Sequence, residues 1–452
     1  MYNIILFNHL QVCEMQNLKQ RIFFWQNIIA KTVGVKREIE DEIAATLFSK
    51  PIKIITGFRR SGKSFLIRQI ARRYVESGSY SLTNILYLNF EDYNFCEIND
   101  AEKLGRLYNL FVTDIANISE KMLLIFDEIQ NVKNWDKFIR TIYESENNIE
   151  IIITGSNSEL LSSELSSNLA GRFIEFFVLP FSFREFLTYK KAFPSSNADF
   201  YRKYREISAL FNEYSSYGAL PEVFEIHTSD AKKSYLTGVL NKVILDDIVK
   251  RFNVENIDVL EKVLGYLLSS VGNIVSFSKI ERLIKSYGLN VCTETIIKYV
   301  GYFIKTFSLF ELNKFDWKLN SFFSTTKKYF AVDTGLLTLY RFEDENYSFR
   351  IENLVFIELM RRNKKINFAM GSNNKEIDFI LQNKSSQIET KIQVCLELND
   401  KNYRRETGSF LVADKYIKNS ENLLLTFGEN AVLKEKNIKI KQKNILEWML
   451  NI

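Results

Sequence analysis

Between residues 49 and 190 the chain alternates short, unbroken apolar runs with amphipathic stretches. Residues 52–56 (Ile-Lys-Ile-Ile-Thr), 84–90 (Asn-Ile-Leu-Tyr-Leu-Asn-Phe), 121–127 (Lys-Met-Leu-Leu-Ile-Phe-Asp) and 150–154 (Glu-Ile-Ile-Ile-Thr) show no period-two alternation, and each gives way to polar residues. Strands buried on both faces lose alternation, so these runs predict a parallel sheet whose polar ends mark the carboxyl edge, where ligands sit. Residues 173–178 read instead as an amphipathic strand. Helical spacing appears after the first run, at Phe65, Leu66, Ile67 and Ile70. It also appears before it, at Leu18, Ile22, Phe23, Ile28 and Ile29, then at Ile39, Ile43, Ala44 and Leu47, with Pro51 as the stop. Residues 16–49 therefore read as one or two packing helices.

Beyond Ala192 the alternation of strand and helix patterns stops. A helix is predicted over residues 234–251, with Leu236, Val239, Leu240, Val243, Ile244 and Ile248 on one side. Residues 259–268, 278–285 and 293–304 follow as amphipathic helices, and 307–312 as a strand. Two short helices, a turn at Gly288 and a third helix leading into a hairpin make a winged-helix pattern. Its third helix, Thr293-Glu-Thr-Ile-Ile-Lys-Tyr-Val, carries few cations, and such modules pack against protein as well as reading DNA. The last region holds a helix over 351–362 and strands over 376–381 and 387–392.

Length and charge narrow this picture. At 452 residues the chain exceeds one core, and length alone suggests about three domains. A net charge of +5 gives no global electrostatic case for nucleic acid, so any such surface is local. Cys13, Cys96, Cys292 and Cys395 lie far apart, without zinc-site or disulfide spacing, which fits a reduced cytoplasm. No apolar run approaches a membrane span. The N-terminal segment has no basic region and contains Asn3, Asn8 and His9, so it is not read as a secretory leader, and Met15 is an alternative start.

Chemistry enters at residues 57–64, Gly-Phe-Arg-Arg-Ser-Gly-Lys-Ser, the spacing of a phosphate-binding loop between a strand and a helix. Gly57 and Gly62 let backbone N–H groups of the loop (Phe58, Arg59, Arg60 and Ser61 between them) curl around phosphates. Lys63 adds a charge, the Ser64 hydroxyl ligates Mg2+, and the following helix points its positive end at the same place. Arg59 and Arg60 are read as loop-stabilising or phosphate-facing. Asp127 and Glu128 end the third run as in a Walker B strand, Asp127 holding Mg2+ through water and Glu128 orienting or deprotonating the attacking water. The run at 150–154 ends in Gly155, Ser156 and Asn157. In P-loop ATPases with a separate catalytic glutamate an extra strand lies between the loop strand and the Walker B strand, and Ser156 or Asn157 would watch the γ-phosphate from its tip. Asn89 is a candidate to hold Glu128. Arg172 reads either as an arginine finger, acting within the chain or across an interface, or as a surface arginine.

A second candidate site lies near the C-terminus. Glu389 and Lys391 are two apart on a predicted strand and so share a face, and pairing with the preceding strand would bring Asp378 beside them. Glu358, on the preceding helix, would complete a set for metal-dependent phosphodiester cleavage: Glu358, Asp378 and Glu389 for Mg2+, Lys391 for the water or phosphate. Charges on the exposed face of an edge hairpin are the alternative.

The assembled order resembles the prokaryotic ATPases of the AAA superfamily whose P-loop domain precedes a winged helix and a restriction-endonuclease-like domain. The resemblance rests on residues 57–64, Leu124-Ile-Phe-Asp-Glu-Ile-Gln130, Ile153-Thr-Gly-Ser-Asn157, Leu169-Ala-Gly-Arg172, Leu179-Pro-Phe-Ser-Phe-Arg-Glu-Phe186 and Tyr217-Gly-Ala-Leu-Pro-Glu222. Further support comes from Lys328-Tyr-Phe-Ala-Val-Asp-Thr-Gly335, Glu352-Asn-Leu-Val-Phe-Ile-Glu358, Glu376-Ile-Asp-Phe379, Ile388-Glu-Thr-Lys-Ile-Gln-Val-Cys395 and Arg405-Glu406. It implies an α/β P-loop NTPase parallel sheet with flanking helices, then a helical winged-helix domain and a C-terminal α/β restriction-endonuclease-like domain. The expected segments are a helical lead-in (1–48), the ATPase domain (49–190), a helical lid or linker (191–254), a winged-helix-like domain (255–335) and the endonuclease-like domain (336–452). It also implies ATP and Mg2+ as cofactors and ATP hydrolysis. Thr390 departs from it, standing where the family usually has an apolar residue. Two functions compete: a Mg2+-dependent ATPase switch or motor coupled to a nuclease-like module, and an ATP-regulated scaffold that binds nucleic acid or protein without cutting. DNA, RNA and a protein partner are all compatible with this reading, and the oligomeric state is open.

Overall fold

The apolar runs form strands β1 (Ile52–Thr56), β2 (Ile85–Asn89), β3 (Met122–Asp127) and β4 (Ile149–Gly155), and β5 (Phe173–Phe177) completes a five-stranded sheet. Its order is β2-β3-β4-β1-β5, with all neighbours parallel. β4 lies between the loop strand β1 and the Asp127 strand β3, the position the sequence suggested for the extra strand. The residues of β1 and β3 are buried throughout, which explains their unbroken apolar character, whereas β5 sits at an edge and is only partly covered. One charge interrupts β1: Lys53 is wholly buried and pairs with Glu150 at 2.8 Å, and the Tyr80 hydroxyl donates to the same carboxylate at 2.6 Å. Burial draws the Lys53 ammonium below its ordinary value, and Glu150 opposes that shift.

In this computed structural model residues 2–161, 168–315, 326–340, 347–362, 364–371, 375–383 and 387–452 are described. The chain divides into two compact units, the first ending at Val178 and the second beginning at Leu179. In the first, helix α1 (Tyr2–Lys31) buries Ile22, Trp25 and Ile29 in the sheet core, and α2 (Glu40–Thr46) follows it. Helices α3 (Lys63–Glu76), α4 (Ala101–Asp114) and α5 (Trp135–Ser145) connect the strands. Asp100 caps α4, its carboxylate accepting the Lys103 N–H at 2.9 Å. Among the described residues no helix is long and apolar enough to cross a membrane.

The second unit opens on α6 (Phe183–Tyr189), started by a reciprocal cap: Ser182 accepts the Glu185 N–H at 3.0 Å and Glu185 accepts the Ser182 N–H at 2.8 Å. α7 (Tyr204–Tyr217) and α8 (Ser229–Lys242) follow, and residues Val243–Val249 continue α8 as a π-helical segment. All six apolar residues assigned to one side of this helix are buried. α9 (Ile257–Ser269), α10 (Phe277–Ser286) and α11 (Thr293–Lys305) then lead into an antiparallel hairpin, β6 (Leu309–Phe315) and β7 (Lys327–Ala331). That hairpin is not a free wing. β6 also pairs in parallel with β8 (Lys365–Met370) and so joins an eight-stranded mixed sheet. The sheet continues through β9 (Glu376–Gln382), β10 (Ile388–Val394), β11 (Glu421–Thr426), β13 (Ile438–Asn444) and β12 (Ala431–Glu435). Helices α12 (Tyr347–Arg361) and α13 (Tyr403–Ala413) belong to the same region.

Two sequence motifs of this unit meet at one buried carboxylate. Asp333 accepts the Ala219 N–H at 2.7 Å and the Gly335 N–H at 2.8 Å. Gly218, at φ 79°, has no room for a side chain, because a Cβ there would lie 1.7 Å from an Asp333 oxygen. Buried Arg350 donates to the Thr338 hydroxyl beside this junction at 2.8 Å. Burial raises the Asp333 carboxyl to about 6, against the pull of its two N–H donors. A carboxyl raised on folding favours the native state below its unfolded value near 4 and loses that advantage as pH rises through about 6. Stability should therefore fall from pH 4 to pH 7 by a component of roughly 2 kcal/mol from this group. In Asp333→Asn that component should vanish, as measured by denaturant unfolding of the full chain at both pH values. An undiminished pH difference would refute the assignment.

Candidate functional site

The loop between β1 and α3 is shaped by two residues that must be glycine. Gly57 has φ 150°, and a Cβ there would sit 2.3 Å from the Val178 carbonyl oxygen, whose own N–H bonds Thr56 O at 2.8 Å. Gly62 has φ 95° and precedes the first turn of α3. Phe58 is fully buried and anchors the loop from below. Ser61 N donates to Phe58 O at 3.1 Å, and Arg37 donates to Ser61 O at 3.1 Å. Arg59 pairs with Glu91 at 2.8 Å, and Arg60 is exposed with a left-handed backbone, φ 66°. Lys63 is buried, its Nζ donating to Gly57 O at 3.0 Å and Phe58 O at 3.2 Å and lying 3.7 Å from Glu128. The first N–H groups of a helix have no acceptor within it, so Lys63, Ser64 and Phe65 present theirs at the loop.

Asp127, fully buried at the end of β3, is the hub. One oxygen accepts the Ser64 hydroxyl at 3.1 Å and the Thr154 hydroxyl at 2.5 Å, and the other accepts the Tyr87 hydroxyl. Burial and the neighbouring Glu128 charge push its carboxyl upward, and the three hydroxyl donors counter that shift. Burial, then the Asp127 charge, holds the Tyr87 phenol well above its ordinary range, so it stays a donor. Glu128 adopts φ 56°, a left-handed conformation costing about 1–3 kcal/mol outside glycine, and its N–H is caught by Thr154 Oγ1 at 3.0 Å. Its carboxylate takes the Gln130 amide at 2.5 Å. Asn89 does not hold Glu128: its carbonyl accepts the Glu91 N–H at 2.9 Å, closing its own turn. Gln130 occupies the role the sequence had offered to Asn89, and it lies within the same Asp-Glu-Ile-Gln run. Ser156 and Asn157, at the tip of β4, are both buried.

This arrangement fits a magnesium nucleotide. The hydroxyls of Ser61 and Ser156 are buried without a hydrogen-bond partner, and a phosphate would supply one. The Ser64 hydroxyl beside the Asp127 carboxylate is a hard oxygen pair suited to Mg2+.

Four expectations are corrected. Arg172 immediately precedes β5, Ile52 N donates to its carbonyl at 2.8 Å, and its guanidinium pairs with Glu144 at 3.1 Å. It therefore stands at the amino edge of the sheet, a strand length of roughly 15 Å from the loop edge, and cannot reach the loop of its own chain. Glu358 points away from Asp378 into three arginines, Arg362 at 2.9 Å, Arg184 at 3.0 Å and Arg361 at 3.5 Å. Six residues along a helix rotate a side chain by about 240°, so Glu352, not Glu358, faces the sheet cluster. Glu389 is the extra residue of a bulge between Ile388 and Thr390; it is exposed and pairs with Lys364 at 3.2 Å. Lys391 is wholly buried, donating to Ile417 O at 3.0 Å and lying 3.4 Å from Asp414.

Asp378 sits elsewhere, accepting the Val394 N–H at 2.8 Å. Its surroundings are Lys328, Glu352 and Glu376: Lys328 pairs with Glu352 at 3.2 Å and with Glu376. Burial, then Glu352, drives the Asp378 carboxyl well above the usual carboxylate range; burial likewise raises Glu352. Burial disfavours the Lys328 ammonium, but the three carboxylates hold it above its ordinary value. Among the described residues no group of three or more histidine, cysteine, aspartate or glutamate side chains is arranged to hold a metal ion.

Comparison with known proteins bears on the segment that carries the first site. A family model described as an AAA domain matches residues 49–187, and one described as a domain of unknown function matches residues 208–345. An uncharacterized protein of Haemophilus influenzae is 35% identical over 369 residues, spanning 81% of this chain and 88% of its own. The chain belongs to that protein's family. A further relative, an uncharacterized protein of Methanocaldococcus jannaschii, is 31% identical over 92% of this chain and 91% of its own. Among solved structures, a Walker-type ATPase of Pyrococcus abyssi aligns over 70% of this chain and all of its own, at 14% identity and a TM-score of 0.41. AMPPCP-bound DnaA from Aquifex aeolicus aligns over 58% and 85%, at 16% identity and a TM-score of 0.26. The family model thus likens the parallel-sheet segment of this family member, residues 49–187, to an AAA domain.

Its edge geometry gives a prediction. Arg172→Ala should leave the nucleotide affinity of the isolated chain within about twofold, because the guanidinium lies at the far edge of the sheet. Titration with a fluorescent nucleotide at low protein concentration checks this, and a tenfold loss would contradict the placement.

Proposed function

We propose that this protein is a Mg2+-dependent ATPase that works as a nucleotide-driven switch. The observation that supports it most is the convergence on Asp127 of the Ser64, Thr154 and Tyr87 hydroxyls, with Lys63 and Glu128 3.7 Å apart beside it. Bound ATP with Mg2+ supplies the γ-phosphoryl group and the metal charge. The loop N–H groups and Lys63 would bind the phosphates, Ser64 and Asp127 would hold the metal and its water, and Glu128 would take the proton of the attacking water. Gln130 and Lys63 fix the Glu128 carboxylate from two sides, and exchange of those partners is a means of timing hydrolysis. Arg172 is left to act, if on a phosphate, on that of a neighbouring copy.

For the second unit the scaffold reading is favoured over cleavage. The lid or linker, winged-helix-like and endonuclease-like segments remain our proposed parsing of residues 191–254, 255–335 and 336–452. The observation behind the preference is the separation of Glu358, Asp378, Glu389 and Lys391 into four different environments, so the proposed chemistry has no common centre. On this reading the unit binds DNA, RNA or protein under nucleotide control.

Lys63→Ala should abolish ATP turnover, and Glu128→Gln should bind ATP yet hydrolyse it at least about a hundredfold more slowly. A steady-state phosphate-release assay with parallel binding titrations decides, and wild-type turnover in both variants would sink the proposal. Plasmid, linear and single-stranded DNA incubated with Mg2+ or Mn2+, with and without ATP, should stay intact. Cutting that disappears in Asp378→Ala would overturn the scaffold reading.

A further inference from the structure

Within β2 the apolar sequence Ile85, Leu86, Leu88 is interrupted by a tyrosine, and Tyr87 is as fully buried as its neighbours. A buried phenol needs a partner for its O–H. The register sets Ile125 beside Tyr87 and Asn89 beside Asp127, so the ring spans two residues diagonally to bring its hydroxyl to the Asp127 carboxylate. The same hydroxyl accepts from Arg68 Nη1 at 3.2 Å. With Tyr87 occupying one oxygen, the other is the oxygen Asp127 turns toward the Ser64 hydroxyl at 3.1 Å. Both carboxylate oxygens are thus held by hydrogen bonds.

Tyr87 is itself held from α1. The Trp25 ring packs on it at 4.9 Å between centroids, and the indole N–H donates to Asp92 at 2.9 Å. Arg21 pairs with the same Asp92 carboxylate, and Arg68 faces both Trp25 and Tyr87 at 5.7 and 5.8 Å. A continuous packed path thus runs from the N-terminal helix to the aspartate of the loop.

We propose that Tyr87 is the positioning residue for the metal-holding carboxylate of Asp127, and that helix α1, through Trp25, sets the affinity of the site for Mg2+. The inference rests on the nucleotide-hydrolysis reading above and adds to it a route by which α1 tunes the metal. Tyr87→Phe keeps the ring and its packing and removes only the O–H. In the full chain, binding of a fluorescent ATP analogue in EDTA should stay within about twofold of wild type, while the Mg2+ concentration needed for half-maximal enhancement of binding rises roughly five- to tenfold, the scale of one ordinary hydrogen bond. Trp25→Leu should shift the Mg2+ requirement in the same direction by less, and the double variant should not exceed Tyr87→Phe alone, since both act along one path. An unchanged Mg2+ requirement in Tyr87→Phe overturns the inference. So does equal weakening with and without Mg2+, which would mark a structural role only. If wild type shows no Mg2+-dependent nucleotide binding, the underlying reading fails and this inference with it; if only the variants behave as wild type, the inference alone fails.

Discussion

Everything around the loop is arranged to keep one carboxylate out of water. Burying an ionised aspartate without compensation costs several kcal/mol, and Asp127 is compensated by three hydroxyl donors. Those donors come from β2, β4 and α3, so the sheet order that sets β3 between β2 and β4 is also what gathers them. Thr154 is used twice, donating to Asp127 and receiving the N–H of Glu128, which secures the left-handed turn that aims the glutamate. Fold and site are here the same set of contacts.

Much of this was legible in the residue pattern. Unbroken apolar runs ending in Asp127-Glu128 and Gly155-Ser156 located the sheet and its working edge, because strands covered on both faces have no reason to alternate. The glycine spacing located the loop. The partners Tyr87, Thr154 and Gln130 were less visible, since a single polar group inside an apolar run does not state which neighbour it will meet. Tyr87 did leave a signal: a phenol amid Ile and Leu must find an acceptor across the sheet.

The second unit shows where pattern reading breaks. Period two placed Glu389 and Lys391 on one face, but the bulge at Glu389 inserts a residue and cancels that inference for every position around it. Helical phase sets Glu352 and Glu358 on different sides of α12: Glu352 is half-buried beside Lys328, Glu358 is buried among arginines, and only three-dimensional neighbours distinguish them. Lys328, read merely as part of a motif, stands among the carboxylates where Lys391 had been expected. Asp333 joined two motifs some hundred residues apart that no local pattern could connect.

The close approach of Gly57 to the Val178 carbonyl reaches beyond the steric rule that demands glycine. Val178 is the last residue of the first unit, and its N–H is fastened to Thr56, the residue before the loop. The opening of the loop and the covalent exit from the domain are therefore clamped to each other like two teeth of one gear. Any side chain at residue 57 would have to push the Val178 carbonyl aside and strain the Val178–Thr56 hydrogen bond, so the glycine guards the end of the sheet as well as the loop.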